Sequence, residues 1–392
     1  MFPAGFRRRA DNAPDQPAGN HSTGEEVTMT FICISAILFT VAAALCWALA
    51  PLCARAARAL GLVDNPGERK IHGVPVPYGG GIAILGSVCL TVGAAYAAIA
   101  GGGDWLPATW RAFLATHWDG LTDAATLRKL GCLLGGAGTV FLLGLVDDFH
   151  PLRPKLKIAV QIAAAALAWY GGVRVPELGG GAVTSFILTL SWIIVITNAF
   201  NLLDNMDGLS AGTAFIACLA LFGIMCARNY FTAAMLIVFA GALAGFLPRN
   251  FARAEHKIFM GDAGALLTGY FLATLAFAGT YYEGKGLTHA LLMPLILLGV
   301  PLFDTASVII IRLKNHKPVM VGDTNHLSHR LVRQGFTRHQ AVGVICILSV
   351  ILGLLAQLLV QLDAPGAVIT FAAVFFTITL MALLMLNPRG RQ

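Results

Sequence analysis

Charge is the scarcest commodity in this sequence. Asp, Glu, Lys and Arg make up 12% of its 392 residues, about half the ~25% of ordinary soluble domains. A soluble chain of this size would need far more polar surface, spread over two or three domains. Paired cysteines are missing too. No two of the eight (Cys33, Cys46, Cys53, Cys89, Cys132, Cys218, Cys226, Cys346) stand at C-x-x-C spacing, which argues against a thiol metal site or a redox dithiol. They lie in or beside apolar runs and read as small packing residues rather than disulfides. What remains is apolar: 57% of the residues are hydrophobic and the mean hydropathy is +0.74. The composition implies an all-α, polytopic integral membrane protein. The formal charge of +7 does not mark a nucleic-acid binder, because the basic residues sit in short loops between apolar runs.

About 20 apolar residues are needed to cross the ~30 Å hydrocarbon layer. Runs of that kind fall near 28–52, 80–100, 130–146, 157–172, 183–200, 211–228, 231–248, 263–280, 287–312, 340–361 and 366–387. Eleven transmembrane helices are therefore expected, and Pro294 and Pro301 predict that the ninth is kinked or broken. Of the 27 Lys and Arg residues, 18 fall on the face formed by 53–78, 147–157, 201–210, 248–258, 312–339 and the C-terminus. That face is expected to be cytoplasmic, with the N-terminus outside. The outer loop 101–129 carries Trp105, Trp110 and Trp118, which suits an interfacial segment. Residues 1–28, with Arg7, Arg8 and Arg9 on the less basic side, read as a disordered extension, with Met29 the natural beginning. Residues 29–388 then form a single transmembrane catalytic domain, and 389–392 a tail.

The basic face holds five loops that interrupt apolar helices with ionisable side chains, and such positions are functional candidates by default. The first, VDNPGERKIHGVPVPYGGG (63–81), places Arg69, Lys70 and His72 within four residues. That cluster suits phosphate oxygens, or equally an anchor to lipid head groups. The second, GLVDDFHPLRPKLKIAVQ (144–161), brings the adjacent carboxylates Asp147 and Asp148 straight out of an apolar run, followed by Lys155 and Lys157. Adjacent carboxylates repel and ask for a cation or a shared proton. A plain helix-end pair is the alternative.

The third loop, NAFNLLDNMDGLSAG (198–212), steps Asn198, Asn201, Asp204 and Asp207 by three, so neighbours in the series can touch while the whole fans round a helix end. The fourth, FMGDAGALLTGY (259–270), sets Asp262 between Gly261 and Gly264. Asp262 either caps a helix or lets a metal or diphosphate approach the backbone. The fifth, RLKNHKPVMVGDTNHLSHRLVRQGFTRH (312–339), carries Asp323, His326, His329 and Arg330. Its two histidines at i, i+3 could face one ligand but lack the further partners of a zinc site. Carboxylate-rich, cysteine-free loops suit Mg²⁺, with Mn²⁺ as the alternative, because a hard ion takes few protein oxygens and leaves room for phosphates. The chemistry that fits is phosphoryl transfer between a lipid phosphate and a nucleotide diphosphate. A secondary transporter would place its ionisable groups near the bilayer midplane, whereas here they stand at span ends on one face.

In order and in residues, DNPGERKIHGVPVPYGGG, LVDDFHPLRPKLKIAVQ, NAFNLLDNMDGLSAG, FMGDAG and PLFDT followed by GDTNHLSHRL resemble the signature loops of the polyprenyl-phosphate N-acetylhexosamine-1-phosphate transferases, from about residue 30 to 387. The first loop looks like the branch using undecaprenyl phosphate and GlcNAc-1-phosphate more than the muramoyl-pentapeptide transferases. The resemblance implies a multi-pass enzyme of the bacterial cytoplasmic membrane with its active site facing the cytoplasm. There the polyprenyl phosphate attacks the sugar-bearing phosphorus of a UDP-N-acetylhexosamine and UMP leaves. This would be the first membrane step of a cell-envelope polysaccharide such as lipopolysaccharide or teichoic acid.

By the same resemblance Asp262 is the Mg²⁺ ligand and Asp147 the proposed base, with Asp148 beside it. Asn201, Asp204 and Asp207 frame metal and nucleotide, and Lys70, Lys155 and His326 contact phosphates. A homodimer is left open by this pattern. Three positions depart from it: Asn205 stands where Gly is common, Thr324 where Arg is, and Ser328 where a middle His is. These departures predict a distinct UDP-hexosamine preference.

Overall fold

The computed structural model describes residues 24–65, 74–101, 106–117, 124–176, 181–226, 228–253, 255–278, 287–318, 325–362 and 364–386. Helices dominate. In chain order they begin with α1 (Gly24–Ala59), α2 (Gly80–Ala100), α3 (Ala108–His117), α4 (Ala124–Phe149) and α5 (Pro154–Tyr170). Next come α6 (Gly181–Leu203), α7 (Leu209–Met225), α8 (Tyr230–Asn250) and α9 (Gly261–Ala278). The series closes with α10 (Leu287–Leu297), α11 (Gly299–Lys314), α12 (Leu327–Arg333), α13 (Arg338–Gln361) and α14 (Ala364–Met385). Two short antiparallel strands, β1 (Val63–Asp64) and β2 (Val76–Pro77), pair between α1 and α2.

Each of the eleven expected apolar runs is helical, the ninth as the pair α10–α11. Among the described residues, eight helices are long and apolar enough to cross a membrane, or nine if the bent pair is one span. Helices α5 and α7 have 17 residues each, about 25 Å at ~1.5 Å per residue, at the short end of what a spanning helix uses. The expected break is present: α10 and α11 meet at Leu298 with a bend of 77°. Pro301 has no N–H to give the carbonyl of Leu297, so it sits in the first turn of α11, where none is needed. The expected interfacial segment contains α3, whose Phe113 stacks on Phe31 at 5.9 Å and packs edge-on to Tyr230 at 5.2 Å.

The helices divide into a buried core and an outer ring. Of the apolar stretch of α9, 89% is buried, against 28% in α1, α2 and α14. Helix α9 is covered by α2, α4 and α6, and α8 by α1, α2 and α7. A helix enclosed on every side has no need of a polar face. On α14, by contrast, Ile369, Phe375 and Phe376 face outward, the arrangement of a helix solvated by lipid. All eight cysteines are free thiols.

Candidate active site

The fourth loop is the hub. At Phe259 the chain runs beside Tyr78: the Phe259 N–H donates to the Pro77 carbonyl at 3.0 Å, and the N–H groups of Gly80 and Gly81 donate to the carbonyls of Phe259 and Met260 at 2.9 and 3.1 Å. The start of α9 is thereby laced to the start of α2. Gly261 then turns with φ +71, and a Cβ there would lie 2.5 Å from an Asp148 oxygen. Only glycine meets both conditions. A Cβ on Gly144 of α4 would lie 2.5 Å from Ala263, so α4 passes this helix start in backbone contact.

That approach lets Asp148 reach over the end of α9. Its Oδ1 accepts the Asp262 N–H at 2.7 Å and its Oδ2 the Ala263 N–H at 3.1 Å, a carboxylate on the positive end of a helix. Asp147, one residue earlier, turns elsewhere: it accepts the Leu152 N–H at 2.7 Å and pairs with Lys157. Lys157 also reaches Asp262 Oδ2 at 3.2 Å, and the Asn201 amide donates to Asp262 Oδ1 at 3.0 Å. Asp147, Lys157, Asp262 and Asn201 thus form one continuous chain drawn from the second, third and fourth loops. The two adjacent carboxylates turn to different partners, Asp147 to Lys157 and Asp148 to the amides of α9. Each has its own partner.

Asp204 stands just past the end of α6. Burial, and then the negative charges of Asp262, Asp148 and Asp207, push its carboxyl up to about 8. Asp207 pairs with Lys257 at 2.7 Å. The turn between Asp204 and α7 is held by Asn250, which accepts the Gly208 N–H at 2.5 Å and donates to the Ile258 carbonyl at 3.0 Å. Asn198 faces away from this group. Its amide donates to Gln161 at 2.6 Å and to the Ile194 carbonyl at 2.8 Å.

The fifth loop is seated on α11. Asp304 Oδ2 holds His326 Nδ1 at 2.7 Å while Oδ1 accepts the Leu327 N–H at 2.7 Å. His326 and His329 are tilted neighbours 6.3 Å apart. Burial, then repulsion from the basic groups His326, Arg333 and Arg338, lower the His329 imidazole. Arg330 points to the far side, donating to the carbonyls of Met385 at 2.5 Å and Asn325 at 3.2 Å. It ties the loop to the end of α14. Lys155 is exposed at the start of α5. Arg69, Lys70, His72, Asp323 and Thr324 lie outside the described residues.

Two of the three departures from the family pattern meet each other: the Ser328 hydroxyl donates to Asn205 Oδ1 at 2.7 Å. They join the third loop to the fifth.

Several participants carried no role in the sequence reading. Tyr78 hydrogen-bonds Asp64 and lies close enough to Asp148 and Asp262 that burial and these negative charges hold its phenol well above the usual range. Asp304, Gln161, Asn250 and Lys257 are the others. Asp304 had a signal, a carboxylate within an apolar run just after two prolines. The rest are single polar residues whose partners are remote in sequence. Among the described residues, no three His, Cys, Asp or Glu side chains stand together as a ready-made metal cage.

The sequence profile of the family described as glycosyl transferase family 4 matches residues 130–280, from α4 to just past α9. A Bacillus subtilis (strain 168) protein, a probable undecaprenyl-phosphate N-acetylglucosaminyl 1-phosphate transferase, is 33% identical over 325 residues, 79% of this chain and 81% of its own. The chain belongs to this transferase family. A decaprenyl-phosphate N-acetylglucosaminephosphotransferase of Mycolicibacterium smegmatis is 33% identical over 364 residues, covering 85% of this chain and 84% of its own. The Escherichia coli (strain K12) undecaprenyl-phosphate alpha-N-acetylglucosaminyl 1-phosphate transferase is 27% identical over 322 residues, 77% of this chain and 78% of its own. The segment that the glycosyl transferase family 4 profile matches contains the whole Asp147–Lys157–Asp262–Asn201 chain.

Proposed function

We propose that this protein transfers N-acetylglucosamine 1-phosphate from a UDP-sugar to a polyprenyl phosphate and releases UMP, on the cytoplasmic face of a bacterial inner membrane that it crosses eleven times. All three relatives above are named for N-acetylglucosamine, which favours that donor over a muramoyl-pentapeptide. The observation that carries the reading is the convergence on Asp262. Two loops far from the fourth in sequence, the second and the third, deliver a cation, a capping carboxylate and an amide to one acid at the mouth of an apolar bundle.

In the reaction, an oxygen of the lipid phosphate forms a bond to the sugar-bearing phosphorus while the bond from that phosphorus to the UMP oxygen breaks. The lipid phosphate is already largely ionised at neutral pH, so a proton acceptor adds little. Asp147, engaged by Lys157 and the Leu152 N–H, acts by fixing the Lys157 ammonium, whose positive charge faces the phosphates. Asp148 fixes the start of α9 and, with it, the direction of Asp262.

The donor set suits a hard divalent cation. Burial, and then the charges of three neighbouring acids, disfavour ionisation of Asp204, and a cation would relieve the repulsion. Mg²⁺ asks for one or two carboxylates and fills its other positions with water and phosphate oxygens, so a complete protein cage is not required. Asp262 and Asp204 would hold it, with Asn201 orienting Asp262. Bound there, it would neutralise charge on the transferring diphosphate.

The test is UMP release by the purified protein in lipid nanodiscs given polyprenyl phosphate, Mg²⁺ and UDP-GlcNAc. Release should require the lipid and disappear in Asp262→Ala. Lipid-independent release, or full activity of that variant, overturns the reading.

A further inference from the structure

A cavity of about 130 Å³ opens between the ends of α1 and α8. Its charged lining comprises Arg55, Arg58, Arg249, Glu255 and His256. Three guanidiniums face one carboxylate, leaving the cavity positive even with the imidazole neutral. The arrangement is built rather than incidental. Arg249 lies over the Trp47 ring, 5.2 Å from its centroid, and its Nε is buried with no hydrogen-bond partner. A buried guanidinium N–H without an acceptor is costly, and the same guanidinium lines the cavity with further donors for an anionic oxygen. Arg58 donates to the Glu255 backbone carbonyl at 3.3 Å, closing one side.

We propose that this cavity binds the headgroup of an anionic glycerophospholipid. The guanidiniums supply the forked donors that phosphate oxygens prefer. Basic pockets between spanning helices on the more basic side of a membrane protein are suited to such headgroups. Trp47 and Leu52 of α1 expose apolar surface beside the opening, where acyl chains would lie. A zwitterionic lipid carries the same phosphate but must bring its ammonium against three arginines, so the site selects a net negative headgroup.

The back of the cavity belongs to the segment that supports the transferase site. Arg249 precedes Asn250, which holds the Gly208 turn, and Ile258 follows Lys257, the partner of Asp207.

Native mass spectrometry of the full chain, with phosphatidylglycerol and phosphatidylcholine titrated in parallel and no sugar donor present, tests the site independently of the transferase reading. Wild type should retain phosphatidylglycerol roughly tenfold better than phosphatidylcholine. The double variant Arg55→Gln/Arg58→Gln, at two exposed positions, should lose most of that preference. Glu255→Gln should raise it, an opposite change that misfolding cannot mimic. Equal retention of the two lipids by wild type, or an unchanged preference in the double variant, overturns the proposal. Displacement of the lipid by equimolar polyprenyl phosphate would assign the cavity to the acceptor instead, and displacement by millimolar inorganic phosphate would make it a free-anion site. Either also overturns it.

Discussion

Two carboxylates at the mouth of this bundle face opposite fates. The Asp304 side chain is 2% exposed, and its oxygens are engaged by His326 and the Leu327 N–H. The Asp262 side chain is 35% exposed, and its partners, Lys157 and Asn201, are borrowed from other loops. One acid is sealed and satisfied, as a buried charge must be. The other is open and set among like charges. The difference separates an acid closed off by its partners from one left open at the surface.

The comparison predicts a crossed pattern. Asp262→Ala should lower UMP release on the order of a thousandfold, the scale of losing one strong charge-stabilising group, while changing the unfolding temperature little. A large loss of thermal stability in that variant would break the comparison. Asp304→Ala should do the reverse in kind. It leaves His326 Nδ1 and the Leu327 N–H without acceptors and should cost about 3 kcal/mol of stability, read by thermal unfolding in detergent. Activity lost without destabilisation would instead put Asp304 among the reacting groups.

Asp204 gives a subtler test. Its folded carboxyl holds a proton up to about pH 8, whereas an unfolded one releases it near pH ~4. Across that window the folded state binds the extra proton, so stability should fall as pH rises and level off above it. The unfolding temperature in EDTA should show this slope, and Asp204→Asn should flatten it. An identical slope in the variant would remove Asp204 from the acidic group. Smallest of all, Ser328→Ala should cost about 1 kcal/mol and loosen discrimination among UDP-hexosamines two- to threefold. Unaltered discrimination would leave the Asn205–Ser328 bond a purely structural tie.

Much of this was legible in the sequence because apolar runs are interrupted by acids at only a few places, and those places come together in the fold. The convergence of the second, third and fourth loops followed from their ending helices on one face. Partner choice was not legible. Asp147 and Asp148 look like a repelling pair on paper, yet consecutive helical residues point about 100° apart, so one meets Lys157 and the other the amides of α9. Asn205 and Ser328 appeared as two separate departures, and only a fold that brings positions 123 residues apart together makes them one hydrogen bond. Asn198 sits in the same three-residue series as Asn201, but a helix turns it towards Gln161. The break at Leu298 was foreseeable from two prolines. That it carries the seat of the fifth loop was not.

The turn at Gly261 has a last implication. With Asp148 across its amides and no space for a methyl group at that glycine, the first turn of α9 is an anvil that cannot yield to what is placed on it. On the proposed function, accommodation of a bulkier or differently shaped sugar would come from the opposite walls. Substrate range in such a scaffold would diversify there, while the acid at its centre stays fixed.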